Sequence, residues 1–306
     1  TGRGDMMAPI SRAWREGLTD LYLVGPTVLV LAALVFVPVL IVFVLSFTDY
    51  QLGDRSVTFV GFDQYVALFT DPIGRRAITN TLIYVAVMVP SSILLALLVA
   101  TGLHGMAQWS PGLSRFLRAA YFLPVAATLV AMALAWQMML HPSIGIVNMT
   151  LVRLGLPAPA WFSDRGLVIY TLALIGIWQT IGYNMVLFLA GLAVIPRHLY
   201  DAAEVDGVSS AWSRFWTVTW PMLGPTTLFV AVITATAGFR VFETVAALTG
   251  GGPAFASDTL VYALYREGFV YFKVGYASAI TVVFFVFVAL LTFIQYGLLQ
   301  KRVHYR

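Results

Sequence analysis

The sequence predicts an all-α, polytopic membrane protein with six transmembrane helices. Of its 306 residues, 60% are hydrophobic and only 10% are charged, and the mean hydropathy is +0.86. Soluble domains carry about 25% charged residues, so this composition is that of a membrane protein. A helix needs roughly 20 apolar residues to cross the hydrocarbon core. The runs that qualify lie at about 22–47, 79–102, 117–140, 167–193, 222–247 and 275–299.

These apolar runs are expected to be helices because lipid offers the backbone no hydrogen-bond partners, so each segment must satisfy its own. They are too long and too continuously apolar for the strands of a barrel. The first run is also longer than the hydrophobic region of a signal peptide, so we expect it to be a span. No linker or low-complexity tract divides the chain, and residues 1–306 are expected to form a single membrane domain.

The distribution of basic residues predicts that both termini lie in the cytoplasm. With six spans both termini share one side, and basic residues favour cytoplasmic loops. The loops on the side of the termini carry Arg3, Arg12, Arg15, Arg115, Arg118, Arg197, Arg214, Lys301, Arg302 and Arg306. The other loops carry Arg55, Arg75, Arg76, Arg153, Arg165, Arg266 and Lys273. This orientation puts residues 194–221 in the cytoplasm and the loops at 48–78, 141–166 and 248–274 outside.

The loop between the fourth and fifth runs is polar and favours helix. Pro196 ends the fourth span, since proline does not continue a helix comfortably. A helix is expected from His198 to about Gly207, with Asp201 and Glu204 in its first turns, where the helix dipole favours negative charge. Gly207 is a natural C-terminal stop.

A second short helix is expected from Ser209 or Ser210 to Phe215, before Pro221 and Pro225 lead into the fifth span. This part of the loop carries four large aromatic side chains: Trp212, Phe215, Trp216 and Trp220. The loop is either an ordinary solvated connector or a docking element. Its apolar load favours the second reading, because such side chains need a groove, a lipid interface or a partner.

The loop resembles the "EAA" loop of the transmembrane subunits of binding-protein-dependent ABC importers. The resemblance rests on Tyr200-Asp201-Ala202-Ala203-Glu204-Val205-Asp206-Gly207, followed by Phe215, Thr219, Pro221 and Pro225. Further matches, such as Tyr121-Phe122-Leu123-Pro124 and Gly250-Gly251-Gly252-Pro253, extend along nearly the whole chain. The pattern is that of the carbohydrate-type branch with its maltose-type and glycerol-3-phosphate permeases. Phe242-Glu243-Thr244 and Tyr265-Arg266-Glu267-Gly268-Phe269 look most like the glycerol-3-phosphate member.

The resemblance implies a type I ABC importer permease fold in which residues 196–221 form two short helices that dock in a cleft of the ATPase subunit. The loop residues carried over are Tyr200, Asp201, Ala203, Glu204, Asp206, Gly207 and Phe215. Asp201 stands where many members have glutamate, which keeps the charge but shortens the reach. The implied partners are a homologous second permease, two ATPase subunits, an external substrate-binding protein and membrane lipid. ATP and magnesium would be used by the ATPase subunits, with no cofactor bound by this chain.

Two charged residues lie inside the fifth apolar run. Arg240 and Glu243 are three residues apart and would share one face of a continuous helix. Each costs about 2.5–3.5 kcal/mol at mid-membrane, so such residues are expected to face the bundle or water. They are predicted to line the translocation path, where the Arg240 fork could contact hydroxyls or a phosphate. The alternative is a salt bridge that satisfies only itself.

The fourth run carries a second polar set, formed by Trp178, Gln179, Tyr183 and Asn184. Aromatic rings stack on the C–H faces of sugars and amides bond their hydroxyls, so these residues are candidates for the substrate path. The alternative is hydrogen bonding between helices, with Gly176, Gly182 and Gly191 allowing close packing.

Several other functions are excluded or unsupported by the sequence. There is no G-x-x-x-x-G-K-[ST] loop, so this chain is not the ATPase and is expected to be non-catalytic. It has no cysteine, and its four histidines lack metal-ligand spacing, so no metal site is expected. The net charge of +4 reflects loop topology rather than nucleic-acid binding.

The predicted function is that of an inner-membrane permease that imports glycerol-3-phosphate or a related phosphodiester by alternating access. A neutral di- or oligosaccharide is the second candidate solute. A stand-alone secondary transporter or channel is a third candidate function, but it does not explain the polar helix at residues 200–207.

Overall fold

The computed structural model describes residue 22 and residues 24–302. Its regular secondary structure is helical, apart from one isolated bridge between Thr48 and Phe59, which confirms the all-α prediction. The helices are α1 (Val24–Leu45), α2 (Asp63–Thr70), α3 (Pro72–Trp109), α4 (Pro111–Ala126), α5 (Leu129–Met139), α6 (Ile146–Arg153), α7 (Val168–Val194), α8 (Arg197–Val205), α9 (Ala211–Met222), α10 (Gly224–Phe239), α11 (Glu243–Leu248), α12 (Leu260–Tyr265) and α13 (Val274–Arg302). Arg3, Arg12, Arg15 and Arg306, which enter the charge count, lie outside the described residues.

The helices that are long and apolar enough to span a membrane are α1, α3, α7 and α13. Two further pairs pass the same test but are sharply bent: α4 with α5 at 105°, and α9 with α10 at 68°. Counting each bent pair as one span gives the six that the sequence predicts.

The third predicted span is not one continuous helix. Residues 117–140 are largely apolar, but Ala127 and Thr128 adopt extended backbone and separate α4 from α5. Pro124 lies just before this break and removes one backbone donor from the helical ladder. Hydropathy does not register such a break, because both halves are equally apolar.

The fifth predicted span, residues 222–247, is also interrupted, and this corrects the expected placement of its charged pair. α10 ends at Phe239 and α11 begins at Glu243, so Arg240 and Glu243 do not share the face of one helix. Arg240 has φ −86° and ψ 13°, outside the helix. The carbonyl of Val241 accepts a hydrogen bond from Thr259 Oγ1 at 3.1 Å, which satisfies part of this irregular backbone. Irregular backbone at membrane depth is tolerated where protein or a cavity surrounds it.

The centre of the bundle is the packing of α7 against α3, α4 and α10. Close approach depends on two glycines of α7. A Cβ at Gly182 would overlap the backbone carbonyl of Tyr121, and one at Gly176 would overlap the Tyr84 hydroxyl. The packing role expected of these glycines is therefore observed.

At the end of the bundle opposite α8, residues 249–259 are tied to α3. Asn80 Nδ2 donates to the carbonyls of Phe255 at 3.2 Å and Asp258 at 2.9 Å. Arg76 Nη1 donates to the carbonyl of Ala254 at 2.8 Å. A glycine turn begins this segment, with positive φ at Gly250 and Gly251. These bonds fix the connection between α11 and α12 to a long helix of the bundle.

Candidate functional site

The two-helix segment, residues 196–221, lies at one end of the bundle. Pro196 precedes α8, which starts at Arg197, one residue before the expected start. The expected stop is present: Gly207 has φ +85°, and the next amide, that of Val208, donates to the carbonyl of Ala203 at 2.9 Å. A left-handed residue after the last turn is a common helix end, and glycine adopts it without strain.

Two details of the segment differ from the expectation. Because α8 begins at Arg197, Asp201 and Glu204 lie beyond its first turn, so the helix dipole does not account for them. α9 also continues past Phe215 to Met222, through a wider π-helical turn over Phe215–Thr219. Local π adjustments of this kind accommodate a proline within a helix, here Pro221.

The side chains of the segment divide into an anchored set and an open set. Ala203 is buried, and Tyr200 and Phe215 pack against the core formed by α3, α7 and α10. Asp201, Glu204, Asp206 and Gly207 are exposed. The carboxylate of Glu204 lies 3.8 Å from Arg214, a surface pair of small energetic weight. The arrangement holds the segment against the bundle and leaves three carboxylates exposed.

A cavity of about 580 Å³ opens near the break between α10 and α11. It brings together Gln179, Arg240 and Glu243 from the predicted path, with Tyr84 of α3 and Phe284 of α13 also in its wall. Among the described residues, neither Arg240 nor Glu243 forms an ion pair, so the self-satisfying salt bridge considered above is not observed. The cavity therefore contains a cation and an anion whose polar groups remain available.

The remaining predicted path residues do not line this cavity. Trp178 packs edge-to-face on Trp136, with ring centroids 5.4 Å apart, and Tyr183 is partly exposed elsewhere on α7. Asn184 is fully buried, and its Oδ1 accepts a hydrogen bond from Thr234 Oγ1 of α10 at 3.0 Å. The structure thus corrects the prediction for Asn184, which joins two helices instead of facing the cavity.

Sequence reasoning missed a buried charged cluster at the opposite end of the bundle. Arg266 pairs with Asp258 and with Glu267, whose other oxygen lies 3.9 Å from Lys273. The Arg266 guanidinium also lies over the ring of Phe255, 4.8 Å from its centroid. Burial raises the pKa of Asp258 to about 6, and the attraction of Arg266 offsets only part of this rise. The sequence signal was faint: adjacent opposite charges at Arg266 and Glu267, counted as loop residues.

A bundle of long and broken membrane helices, with a polar two-helix segment at one end and a charged cavity in its wall, is the architecture of a transport subunit. The chain belongs to the family described as "Binding-protein-dependent transport system inner membrane component", which matches residues 72–305. It is the permease component of such an ABC transport system.

Curated relatives and solved structures agree with this assignment. The chain is 34% identical over 252 residues to the sn-glycerol-3-phosphate transport system permease protein UgpA of Agrobacterium fabrum, covering 82% of this chain and 84% of the relative. It is 30% identical to the sulfoquinovosyl glycerol transport system permease protein SmoG of the same organism, over 88% of this chain and 86% of the relative. A bacterial ABC transporter that imports the acidic polysaccharide alginate has a chain of the same fold, with a TM-score of 0.80 at 24% identity, covering 96% of this chain and 100% of that one. The type I permease fold is confirmed.

Proposed function

We propose that this permease admits a small anionic solute of the glycerol phosphate class, and that Arg240 binds the anionic group. The observation that carries the proposal is the position of Arg240 in the cavity wall, with no ion pair among the described residues. An intramembrane cation is costly, and such residues are functional by default. The guanidinium fork matches phosphate geometry with two parallel hydrogen bonds.

The other polar groups of the cavity suit the rest of such a solute. Gln179 offers amide donors and an acceptor for hydroxyls, and the Glu243 carboxylate accepts hydrogen bonds from them. The cavity volume of about 580 Å³ falls within the roughly 300–1,000 Å³ of small-molecule sites. Two relatives are named for transport of a glycerol phosphate and of a sulfonated sugar glycoside, both anions.

A neutral di- or oligosaccharide is the second candidate solute. It would depend on Trp178, Tyr183 and Gln179, of which only Gln179 lines the cavity. A neutral solute would also leave Arg240 without a charged partner. These two observations favour the anionic solute.

We further propose that the two-helix segment couples this permease to ATP hydrolysis. In this proposal the exposed Asp201, Glu204, Asp206 and Gly207 dock on an ATPase subunit, and buried Ala203 sets the fit of α8 on the bundle. Tyr200 and Phe215, which pack on the core, transmit the movement of the ATPase subunit to the membrane spans. A second permease completes the path, a second ATPase serves it, and an external binding protein delivers solute at the opposite end. Both termini then lie in the cytoplasm, and ATP and magnesium are held by the partners.

The solute proposal is tested by uptake into liposomes that contain the complete transporter with its own binding protein. Arg240→Gln is compared with the matched control Arg165→Gln, an exposed loop arginine. If the proposal holds, wild type takes up labelled glycerol-3-phosphate, Arg240→Gln loses at least tenfold in rate, and Arg165→Gln retains it. Uptake of a neutral saccharide alone, unchanged by Arg240→Gln, contradicts the proposal.

A further inference from the structure

Three tryptophans form a row along α9. Trp212, Trp216 and Trp220 are spaced four residues apart, and neighbouring rings contact each other with centroids 5.6 and 5.9 Å apart. Their side chains are 70%, 48% and 37% exposed in this chain. A four-residue spacing drifts around an α-helix of 3.6 residues per turn. The wider π-helical turn over Phe215–Thr219 offsets that drift and keeps the rings in one row.

The other face of α9 is packed on the bundle. Val218 and Thr219 are buried, Phe215 contacts the core, and the Thr219 hydroxyl lies 3.1 Å from that of Tyr200. α9 is therefore apolar on both sides, one held by protein and the other uncovered. Indole rings in such numbers are rarely left in water, so the open face requires a surrounding of its own.

The direction of α9 identifies that surrounding. α9 and α10 together have the length and composition of one span, and α9 is bent by 68° from α10, so α9 forms the angled end of that span. The row of rings thus lies at the end of a span, where membrane helices meet the membrane–water interface. Trp109, 90% exposed at the end of α3, lies at the same end of the bundle, where Leu103 of α3 packs in one cluster with Phe215. Tryptophan concentrates at membrane–water interfaces, where its ring is in apolar contact and its N–H is solvated.

Two basic side chains at this end also suit a lipid surface, while the exposed carboxylates of Asp201, Glu204 and Asp206 belong to α8 and its C-terminal end, not to α9. Arg115 at the start of α4 and Arg197 at the start of α8 are exposed. Basic side chains at this depth are attracted by anionic headgroups of the cytoplasmic leaflet. A bilayer interface therefore satisfies the aromatic and the basic side chains of this end together.

We propose that Trp212, Trp216 and Trp220 anchor α9 in the headgroup layer of the lipid bilayer. The two-helix segment is then fixed at a set depth by lipid as well as by the bundle. A push on α8 rotates the segment about this anchor instead of lifting it away from the membrane. The proposal is independent of the transported solute and requires only that the chain spans a bilayer.

The absence of cysteine from the whole chain makes a depth measurement direct. A nitroxide spin label is attached to Trp216→Cys in the complete transporter, whose partner subunits carry no cysteine. The transporter is placed in liposomes that contain anionic lipid. Collision with lipid-soluble oxygen and with a water-soluble nickel chelate is measured by power saturation. Ser56→Cys, at an exposed loop position away from the two-helix segment, is the control outside lipid, and Leu34→Cys on α1 is the hydrocarbon control.

The anchor predicts an oxygen-to-nickel ratio at position 216 between those of the two controls, with substantial oxygen collision. Low collision with both reagents means that a protein partner covers the row, and nickel collision equal to that at position 56 means that the row faces water. Either result overturns the proposal. A second measurement uses tryptophan fluorescence, which brominated lipid quenches where an indole ring contacts the bilayer. The double variant Trp216→Phe/Trp220→Phe keeps the other tryptophans and is expected to show a smaller quenched fraction than wild type. An unchanged quenched fraction also contradicts the anchor.

Discussion

The hydroxyl groups of Tyr200 and Thr219 lie 3.1 Å apart and join α8 to α9. Thr219 is buried five residues before α10 begins at Gly224, so this contact connects the exposed helix of the two-helix segment to a membrane span. A movement imposed on α8 therefore reaches α10 through a short, packed route.

Replacing Tyr200 with phenylalanine is expected to weaken coupling while leaving the complex assembled. The change removes one hydrogen bond, worth about 1 kcal/mol, and keeps the ring in the core. Transport per ATP hydrolysed should fall several-fold, and Thr219→Val should have the same effect, with no further loss in the double variant. Tyr170→Phe, at an exposed position of α7, is the control. Unchanged transport per ATP in both single variants would argue against this route.

Gly182→Ala is expected to destabilise the bundle. The added Cβ meets the backbone carbonyl of Tyr121, which cannot rotate away, so α7 and α4 must separate. Overpacking of this kind costs about 1–3 kcal/mol. Gly102→Ala in α3 is the control, because its Cβ meets nothing within 4 Å and alanine favours helix. The midpoint of thermal unfolding in detergent should fall for the first variant only.

Asn184→Ala is expected to lower stability without changing recognition of solute. The Asn184 side chain accepts from Thr234 between two helices and does not line the cavity. Hydrogen bonds between membrane helices average about 0.6 kcal/mol, so a modest fall in unfolding temperature is predicted. The concentration of solute that half-saturates uptake should stay at the wild-type value. A large rise in that concentration would return Asn184 to the substrate path.

Asp258 should make stability depend on pH in a defined window. Burial raises its pKa from 3.8 to about 6, so the folded state binds the proton more tightly than the unfolded chain. The stability it contributes is present below pH 3.8 and is lost as pH rises through about 6. Unfolding followed from pH 4 to 7 should show this fall in wild type and in Asp63→Asn, an exposed control. If Asp258→Asn retains the full dependence, another group is responsible.

The sequence predicted best the features that depend on local chemistry. Pro196 and Gly207 bracket α8 within a residue or two of the expected bounds, because the constraints of proline and glycine on the backbone are local. The number of spans followed from hydropathy. The breaks at Thr128 and Arg240 did not, since an apolar run remains apolar whether its helix is straight or bent.

Site residues that depend on tertiary contacts were harder to predict. Gln179 and Asn184 lie five residues apart on α7, yet Gln179 lines the cavity, whereas Asn184 is buried and hydrogen-bonded to Thr234. The pairing of Asp258 with Arg266 depends on the turn from α12 into the next segment, which no spacing rule specifies. Only the packed bundle decides which polar side chains remain available.

The most direct test of coupling through the two-helix segment is ATP hydrolysis by the complete transporter in liposomes. Wild type is compared with Glu204→Ala and with Ser209→Ala, an exposed control in the same segment. Because the Glu204 pair with Arg214 lies at the surface, its loss should leave the fold intact. We predict that solute-loaded binding protein stimulates hydrolysis in wild type and in Ser209→Ala, and that Glu204→Ala abolishes the stimulation. Full stimulation in Glu204→Ala would contradict coupling through this segment.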